Sequence, residues 1–562
     1  MANNEKQYLE EKIRRKLQEL RVKSEEDKAQ ADANKYDIPY ANLFFTPVDP
    51  EALQTVEESR AREGQLAVIY RLEKTMRIAL QNPDNETTKQ IIKELEDQGN
   101  LITYLVVSGR SLEKAYSYYS KGASKVSVSG TTSVNTEKFK EYQEKIKKLS
   151  DIAPLLKKAS VGSTADVFEF ILAAGLALDV SDIHIETEEA EGKIRFRLDG
   201  MLYDAGTVEK KVAKSIMLRL KLVSGLKINV TSEPQDGRFS IRLGELNIEI
   251  RTSILPGPNG ENVVMRLLHP KAIGVTLQQL GFMEWDYKVI VEEIDRPNGL
   301  IMVTGPTGSG KTTTLYAIMK KLNMPDTKII TLEDPIEYHV SGLEQIQIDT
   351  GRGLSFAAGL RSILRQDPDI ILVGELRDHE TTETAIHAAL TGHLVLTTMH
   401  TNDAIATVPR LIDVGAKAAV VSPAVNLAIG QRLIRKVCTQ CKNRSKASPE
   451  ELAILKQELA DCPKRIDLGT LPKLDENLEL TRPVGCPVCN DTGYRGRIGI
   501  YELLVFDAEL KELVLTEPSY NSLRQKAVEK GFSSIRHDGF LKALSGITDI
   551  TELQRVLGKN AD

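Results

Sequence analysis

The sequence predicts a multidomain α/β protein whose C-terminal half is a doubly wound parallel sheet. At 562 residues the chain is too long for one core, because a domain holds about 150 residues. From about residue 275 onward, strand-like apolar runs alternate with helical segments, from LIMVTG and TTTLYAIMKKL to HLVLTTM. Strands and helices that alternate in this way form a parallel α/β sheet.

Composition and charge narrow the class of protein. The net charge of -5 and the pI near 6.1 give no overall electrostatic reason to bind nucleic acid. The longest apolar run, FILAAGLAL at 170–178, is about half of the ~20 residues that cross a bilayer. The start, MANNEKQYLEEK, lacks the apolar core of a signal peptide, so we expect a cytoplasmic protein.

The first part of the chain predicts three segments without catalytic motifs. Residues 1–36 read as a charged amphipathic helix that docks on its own protein or on a dedicated partner; its apolar positions are Leu9, Ile13, Leu17 and Leu20. Residues 37–122 mix apolar runs with helical segments, which favours a small α/β adaptor domain. Residues 123–159, opening with ASKVSVSGTTSVNT, predict a linker that includes a charged helix.

Two larger domains follow. Residues 160–272 combine one helix with the strand-like runs DIHIE, KIRFRLDG, GRFSIRL, LNIEIRTS and NVVMRLL, which predicts an α+β domain of the PAS-like kind. Residues 273–562 hold the doubly wound core, for which we expect the RecA-like or a related arrangement. An insert at 438–489 interrupts this core.

The strongest local motif is GPTGSGKT, which follows an apolar strand and opens a helix. In this context the pattern predicts a phosphate-binding loop, whose backbone N–H groups converge on phosphate oxygens at a helix N-terminus. Lys311 is expected to reach the β- and γ-phosphates of ATP, and the Thr312 hydroxyl to bind Mg²⁺. The predicted nucleotide-binding residues are Gly305, Pro306, Thr307, Gly308, Ser309, Gly310, Lys311, Thr312 and Thr313.

Two acidic segments end neighbouring strands of the predicted sheet. In TLEDPIEY, Glu333, Asp334 and Glu337 would approach the γ-phosphate, because the carboxyl ends of parallel strands face the ligand crevice. The alternative is an acidic loop ended by Pro335. In DPDIILVGE, Gly374 stands where an ATPase would carry a metal-binding aspartate, and Glu375 follows it. Glu375 either polarises the attacking water or caps the next helix.

Histidines and arginines supply further candidates. TGHLVLTTMHTNDA places His393 before a strand, where a structural role is as well supported as a catalytic one. His400 follows the strand and is better placed to sense phosphate. The second domain is rich in arginine, and six of its arginines lie either on a solvated face or where they could supply a cation for phosphoryl transfer: Arg195, Arg197, Arg238, Arg242, Arg251 and Arg266.

Four of the five cysteines form two CxxC pairs, Cys438 with Cys441 and Cys486 with Cys489. Four thiolates at this spacing predict a closed, structural Zn²⁺ site. Free or redox-active thiols are the alternative. The residues between the pairs are expected to form a helical excursion around PEELAILKQEL, and Cys462 lies in it unpaired.

Taken together, GPTGSGKT, TLEDPIEY, DPDIILVGELRD and TGHLVLTTMHTNDA resemble the secretion ATPase superfamily over about residues 160–562. The phrases SDIHIE, RFRLDGML, PQDGRFSIR, GYRGRIGIYELL and RHDGFLKALSGIT, with the tetracysteine insert, resemble its extension motors of type IV pilus assembly and type II secretion. The resemblance implies that Glu333 and Glu337 form an acidic box, that Glu375 holds the catalytic position, and that His393 and His400 form a histidine box.

The same resemblance implies that Arg238 and Arg251 complete the nucleotide site. It also implies a homo-hexamer at the cytoplasmic face of the inner membrane. That ring would hydrolyse ATP and move a platform protein, and the N-terminal domain would meet a membrane-associated adaptor. The alternative from another class is a DNA-translocating RecA-like ATPase, which the acidic charge balance disfavours. No nucleic-acid partner is expected.

Overall fold

A computed structural model describes residues 24–559 except 37, 45, 47, 73–74, 120–130, 134–135, 161, 244–245, 269–273, 465 and 467–470. Most of the amphipathic helix predicted for 1–36 therefore lies outside the described residues, although 24–36 is helical (α1). The chain forms two compact units, Met1–Asn135 with Met217–Leu246, and Thr136–Ile216 with Asn247–Asp562. No helix among the described residues is long and apolar enough to cross a membrane.

The N-terminal region is a small α/β fold around a three-stranded sheet, as its mixed pattern predicts. Strand β2 lies in the middle, antiparallel to β1 and parallel to β3. Helix α4 begins where the Asn85 side chain accepts from the N–H groups of Thr87 and Thr88. The elements are α2 (Pro50–Leu53), α3 (Glu58–Glu63), β1 (Leu66–Leu72), β2 (Thr75–Leu80), α4 (Glu86–Asp97), β3 (Leu101–Val106) and α5 (Gly109–Tyr116).

The described part of the segment predicted as a linker, residues 131–133 and 136–159, contains regular structure. It contains β4 (Thr131–Ser133), α6 (Thr136–Lys145) and α7 (Ile152–Ala159). The next elements are α8 (Thr164–Ala177), β5 (Asp182–Thr187), β6 (Glu191–Leu198), β7 (Met201–Glu209), α9 (Lys210–Val223), β8 (Gln235–Leu243), β9 (Leu246–Gly257) and β10 (Gly260–Leu268). Within the second unit, strands pair antiparallel in the order β9-β10-β5-β6-β7.

The predicted helix and five strand-like runs of this domain are all present. Helix α8 begins with a capping box, in which Ser163 and Asp166 each accept a hydrogen bond from the other's backbone N–H. Strand β7 and helix α9 were not predicted from the sequence. Gly206 breaks the strand pattern of β7, and the helical spacing of KKVAKSIMLRLKLV was the signal that could have identified α9.

The C-terminal core is a seven-stranded sheet in the order β13-β12-β14-β15-β11-β16-β19. Neighbours are parallel throughout except β16 and β19, which are antiparallel. The strands are β11 (Gly299–Thr304), β12 (Ile329–Glu333), β13 (Glu344–Gln347), β14 (Ile370–Val373), β15 (Leu394–Met399), β16 (Val425–Val437) and β19 (Tyr494–Val505). In the insert, β17 (Asn443–Lys446) pairs with β18 (Glu479–Arg482).

Helices cover both faces of this sheet, so the predicted doubly wound arrangement is confirmed. Apolar residues of α10 and α11 pack on one face, and those of α12 to α15, α17 and α18 pack on the other. The helices are α10 (Glu284–Ile294), α11 (Lys311–Leu322), α12 (Phe356–Ile363), α13 (His379–Leu390), α14 (Thr407–Asp413), α15 (Ala418–Ala424), α16 (Pro449–Glu458), α17 (Ala508–Thr516), α18 (Tyr520–Glu529), α19 (Ile535–Leu544) and α20 (Ile550–Leu557).

Candidate active site

The register of the parallel strands brings several candidate site residues together at the carboxyl ends of β11, β14 and β15. Thr304, the last residue of β11, lies opposite Met399, the last residue of β15. Strand β14 is the neighbour of β15 and ends at Val373. The residues that follow, Glu375 and His400, therefore meet beyond the carboxyl ends, where the Glu375 Oε2 atom lies 3.6 Å from His400 Nε2. This edge is where open α/β sheets bind ligands.

The phosphate loop runs from β11 into α11 as predicted. The Lys311 Nζ atom donates to the Gly305 carbonyl at 2.8 Å and to the Pro306 carbonyl at 3.2 Å. The Lys311 side chain is thus held inside the loop, and burial lowers the pKa of its ammonium, with the Glu375 carboxylate acting in the opposite direction. The lysine is positioned where a phosphate can take over from the loop carbonyls.

The interior of the loop suits an anionic ligand. Ser309 is 3% exposed, yet its Oγ atom has no hydrogen-bond partner among the described residues. At Gly308 a β-carbon would meet nothing within 4 Å, which leaves space beside the backbone. A buried donor without a partner costs free energy unless a ligand or water satisfies it. The donor set of this loop therefore fits the phosphates of a nucleotide.

Glu375 lies between Arg377 and His400. Its carboxylate pairs with Arg377 Nε at 2.6 Å and is 13% exposed. Burial lowers the pKa of His400, and the nearby Lys311 ammonium lowers it further, while the Glu375 carboxylate acts in the opposite direction. The Thr401 N–H, next to His400, donates to the Thr304 hydroxyl at 2.9 Å. This bond ties the histidine loop to the end of β11.

Gly374 marks a close approach between β14 and β12. Its N–H donates to the Leu332 carbonyl at 2.8 Å, and its own carbonyl accepts from Thr398 Oγ1 at 2.7 Å. A β-carbon at Gly374 would lie 3.1 Å from the Leu332 carbonyl oxygen. An aspartate at this position would need the neighbouring strand to shift, which explains the absence of that carboxylate in physical terms.

The two acidic-box residues have different environments. Glu333 is 4% exposed, and its carboxylate accepts from the Tyr316 and Thr331 hydroxyls and from the Gln345 amide. These three hydrogen bonds hold the Glu333 carboxylate in the interior of the protein. Glu337 is half-exposed and pairs with Arg251 Nη1 at 2.9 Å.

Arg251 reaches this acidic segment from β9. Besides the ion pair with Glu337, its Nη2 atom donates to the Ile336 carbonyl at 2.6 Å. The predicted arginine and the predicted acidic box are thus brought together, although the sequence did not show that they pair. Arg238 is exposed on β8, in the other compact unit, and its predicted role stays a prediction.

His393 does not lie beside His400 and Glu375. It precedes β15, at the opposite edge of the sheet from His400, and its Nδ1 atom lies 3.1 Å from the Ala388 carbonyl. The structure therefore offers no contact between His393 and Glu375 or Lys311 within the described chain, and its histidine-box role stays a prediction.

Sequence reasoning missed three polar residues beside the loop. Arg377 follows Glu375 by two positions, a signal that could have identified it. Gln431 is 1% exposed and contacts Ser309, and Arg432 Nη2 donates to the Asn402 carbonyl at 2.5 Å. Neither Gln431 nor Arg432 belongs to a recognised motif in GQRLIRK, so only the strand pairing reveals them.

The four cysteines of the two CxxC motifs lie close together, where β16 ends and β19 begins. Their Sγ atoms all lie within 4.8 Å of one another, and Cys438–Cys486, Cys441–Cys489 and Cys486–Cys489 are separated by 3.9, 3.7 and 3.7 Å. Four thiolates at about 2.3 Å from one tetrahedral ion would stand about 3.8 Å apart, far beyond the ~2.05 Å of a disulfide. The cluster therefore fits a metal ion.

Backbone N–H groups support the same interpretation. Gly485 donates to the Cys441 sulfur at 3.3 Å, and Cys486 and Gly493 donate to the Cys489 sulfur at 3.1 and 3.3 Å. Such bonds stabilise thiolates. The excursion between the pairs contains α16, which confirms the helix expected around PEELAILKQEL, and Cys462 lies outside the cluster.

Comparison with known proteins decides the family. Residues 158–555 match the family model of the type II/IV secretion system proteins. The chain belongs to this family. As a type II/IV secretion system protein it is an ATP-hydrolysing motor of pilus assembly or protein secretion, which confirms the superfamily that its motifs resemble.

Individual relatives cover different parts of this type II/IV secretion system protein. It is 38% identical over 527 residues to the type IV pilus assembly ATPase PilB of Myxococcus xanthus, covering 93% of this chain and 89% of that protein. It is 44% identical over 386 residues to type II secretion system protein E of Pseudomonas aeruginosa, covering 69% and 74%. The solved ATPase DotB of Yersinia pseudotuberculosis has a similar fold, with a TM-score of 0.50, 20% identity, and coverage of 70% and 93%.

Proposed function

We propose that this protein powers the assembly of type IV pili. The supporting observation is the extent of similarity. The pilus assembly ATPases of Myxococcus xanthus and Pseudomonas aeruginosa align with 93% and 94% of the chain, whereas type II secretion system protein E of Pseudomonas aeruginosa aligns with 69%. The alignments with these two pilus relatives therefore extend into the N-terminal α/β region, which the alignment with this secretion protein does not cover in full.

In this proposal the nucleotide binds on the phosphate loop. The Lys311 ammonium leaves the Gly305 and Pro306 carbonyls and contacts the β- and γ-phosphates. The Ser309 hydroxyl, buried and unpartnered in the described chain, donates to the same group. When bound at the Thr312 hydroxyl, Mg²⁺ would neutralise charge on the β- and γ-oxygens.

Glu375 is the proposed general base. Its carboxylate accepts a proton from the attacking water, while Arg377 and His400 keep it oriented toward the loop. Arg251 supplies positive charge from the second domain. Arg251 pairs with Glu337, so the acidic box holds the guanidinium beside the crevice. From there the guanidinium would move toward the phosphate during hydrolysis. Glu333, held by three donors, keeps the end of β12 in place.

The proposed working form is a homo-hexameric ring at the cytoplasmic face of the inner membrane, where it turns a platform protein. Zn²⁺ is the metal proposed for the four-cysteine cluster, because four thiolates leave no open coordination position and so fit a structural site. The N-terminal region would contact a membrane-associated adaptor.

The test is genetic. Deleting the gene in its source bacterium is expected to abolish surface pili and to leave type II export intact, and the wild-type gene is expected to restore pili. Glu375→Gln is expected not to restore them. Pili that persist in the deletion strain, together with lost type II export, would show that the secretion alternative is correct.

A further inference from the structure

The buried side-chain amide of Gln431, on β16, contacts the backbone of the phosphate loop. The Gln431 side chain is 1% exposed. Its Nε2 atom donates to the Ser309 carbonyl at 2.8 Å, and its Oε1 atom accepts from the Thr314 hydroxyl at 2.8 Å. One side chain thus joins the loop to the first turn of α11.

This contact fixes the direction of a phosphate-facing N–H group. The peptide that links Ser309 to Gly310 is planar and trans, so its C=O and N–H point in opposite directions. Because Gln431 holds the Ser309 carbonyl on the β16 side, the Gly310 N–H is turned toward the interior of the loop. A β-carbon at Gly310, where φ is +90°, would lie 2.9 Å from the Gln431 amide, so loop and amide fit closely.

We propose that Gln431 is a positioning residue for the phosphate loop: by holding the Ser309 carbonyl and the Thr314 hydroxyl, it keeps the Gly310 N–H directed at a bound phosphate. The proposal rests on the proposed nucleotide site and adds to it a residue outside the loop that sets the conformation of the loop. Gln431 and Thr314 are both buried, which favours strong directional hydrogen bonds over exchange with water.

The experiment measures nucleotide affinity with a fluorescent ATP analogue and melting temperature without nucleotide. Gln431→Met keeps the shape but removes both hydrogen bonds, and it is expected to weaken binding about tenfold. Thr314→Val should weaken binding less, and should add nothing in the Gln431→Met background, because the bond it removes is already lost. A lower melting temperature with unchanged affinity would show a purely structural role and overturn the proposal.

If the wild type bound no nucleotide, the proposed function itself would fail, whereas unchanged affinity in Gln431→Met would overturn only the positioning role of Gln431.

Discussion

At the scale of single residues, substitution of Arg251, which pairs with Glu337, tests whether the second domain supplies a catalytic cation. Arg251→Ala removes the cation paired with Glu337 and is expected to lower kcat by about 10³-fold or more, since a cation on the transferring phosphoryl group has that effect. Arg251→Lys should retain part of the rate, because it keeps the charge and loses the planar fork. Steady-state phosphate release measures both variants.

The matched control is Arg195→Ala, which removes a guanidinium from the same domain where it pairs with Glu186. We expect this variant to hydrolyse ATP at close to the wild-type rate. Equal losses in Arg195→Ala and Arg251→Ala would mean that the arginines act only through the stability of the domain.

At this scale the sequence predicts residues that lie within one continuous motif, but not pairs of residues that are far apart in the chain. Lys311 and Glu375 lie in continuous motifs at strand ends, so their types and positions were predictable. The Arg251–Glu337 pair joins residues that are far apart in the chain, and the Gln431 contact comes from the pairing of β11 with β16. Neither follows from a local pattern, because each depends on which strands become neighbours.

At the scale of elements, the four-cysteine cluster fixes the ends of β16 and β19. Cys486→Ser removes one thiolate, and we expect loss of stoichiometric zinc together with a lower melting temperature, because the bound metal contributes folding free energy. Elemental analysis and thermal melting check this. Cys462→Ser is the control, since Cys462 lies outside the cluster, and it should change neither quantity. A wild-type protein without stoichiometric zinc would contradict the prediction.

Glu502 on β19 predicts how stability depends on pH. Burial raises the pKa of Glu502 to about 7, while its carboxylate accepts from the Ala404 and Ile535 N–H groups. In the unfolded chain the pKa is about 4.3. The folded state therefore binds more protons between these values, so this contribution is present at low pH and is lost as pH rises toward 7.

The measurement is the difference in melting temperature between the wild type and Glu502→Gln across pH. We expect this difference to favour the wild type most near pH 4 and to shrink by pH 8. A difference that stays constant, or that grows with pH, would show that the Glu502 carboxyl is not protonated in the folded protein.

At the scale of the whole molecule, the charge balance separates a pilus motor from a DNA motor. The net charge is -5, and proteins that track phosphate backbones carry a basic surplus. We expect single- and double-stranded DNA to leave the ATPase rate unchanged at low salt, where electrostatic binding is strongest. Stimulation of several-fold that falls as salt rises would favour the DNA-translocating alternative.

The fold class was predictable at this scale because alternation of strands and helices extends over the whole C-terminal half. The compact units were less predictable. Residues 217–246, which carry Arg238, belong to the same unit as the N-terminal region, although sequence order places them inside the second domain. Composition identifies linkers by their residues, whereas compact units depend on long-range contacts that composition does not encode.

The central claim is that Lys311 and Glu375 form one ATP-hydrolysing site. The most direct test is Mg²⁺-dependent phosphate release by the wild type and Glu375→Gln, with Glu383→Gln, an exposed change on α13, as the control. We expect Glu375→Gln to bind the nucleotide but to lose about 10²–10⁴-fold in rate, and Glu383→Gln to behave as the wild type. A Glu375→Gln variant that hydrolyses ATP at the wild-type rate would contradict the account.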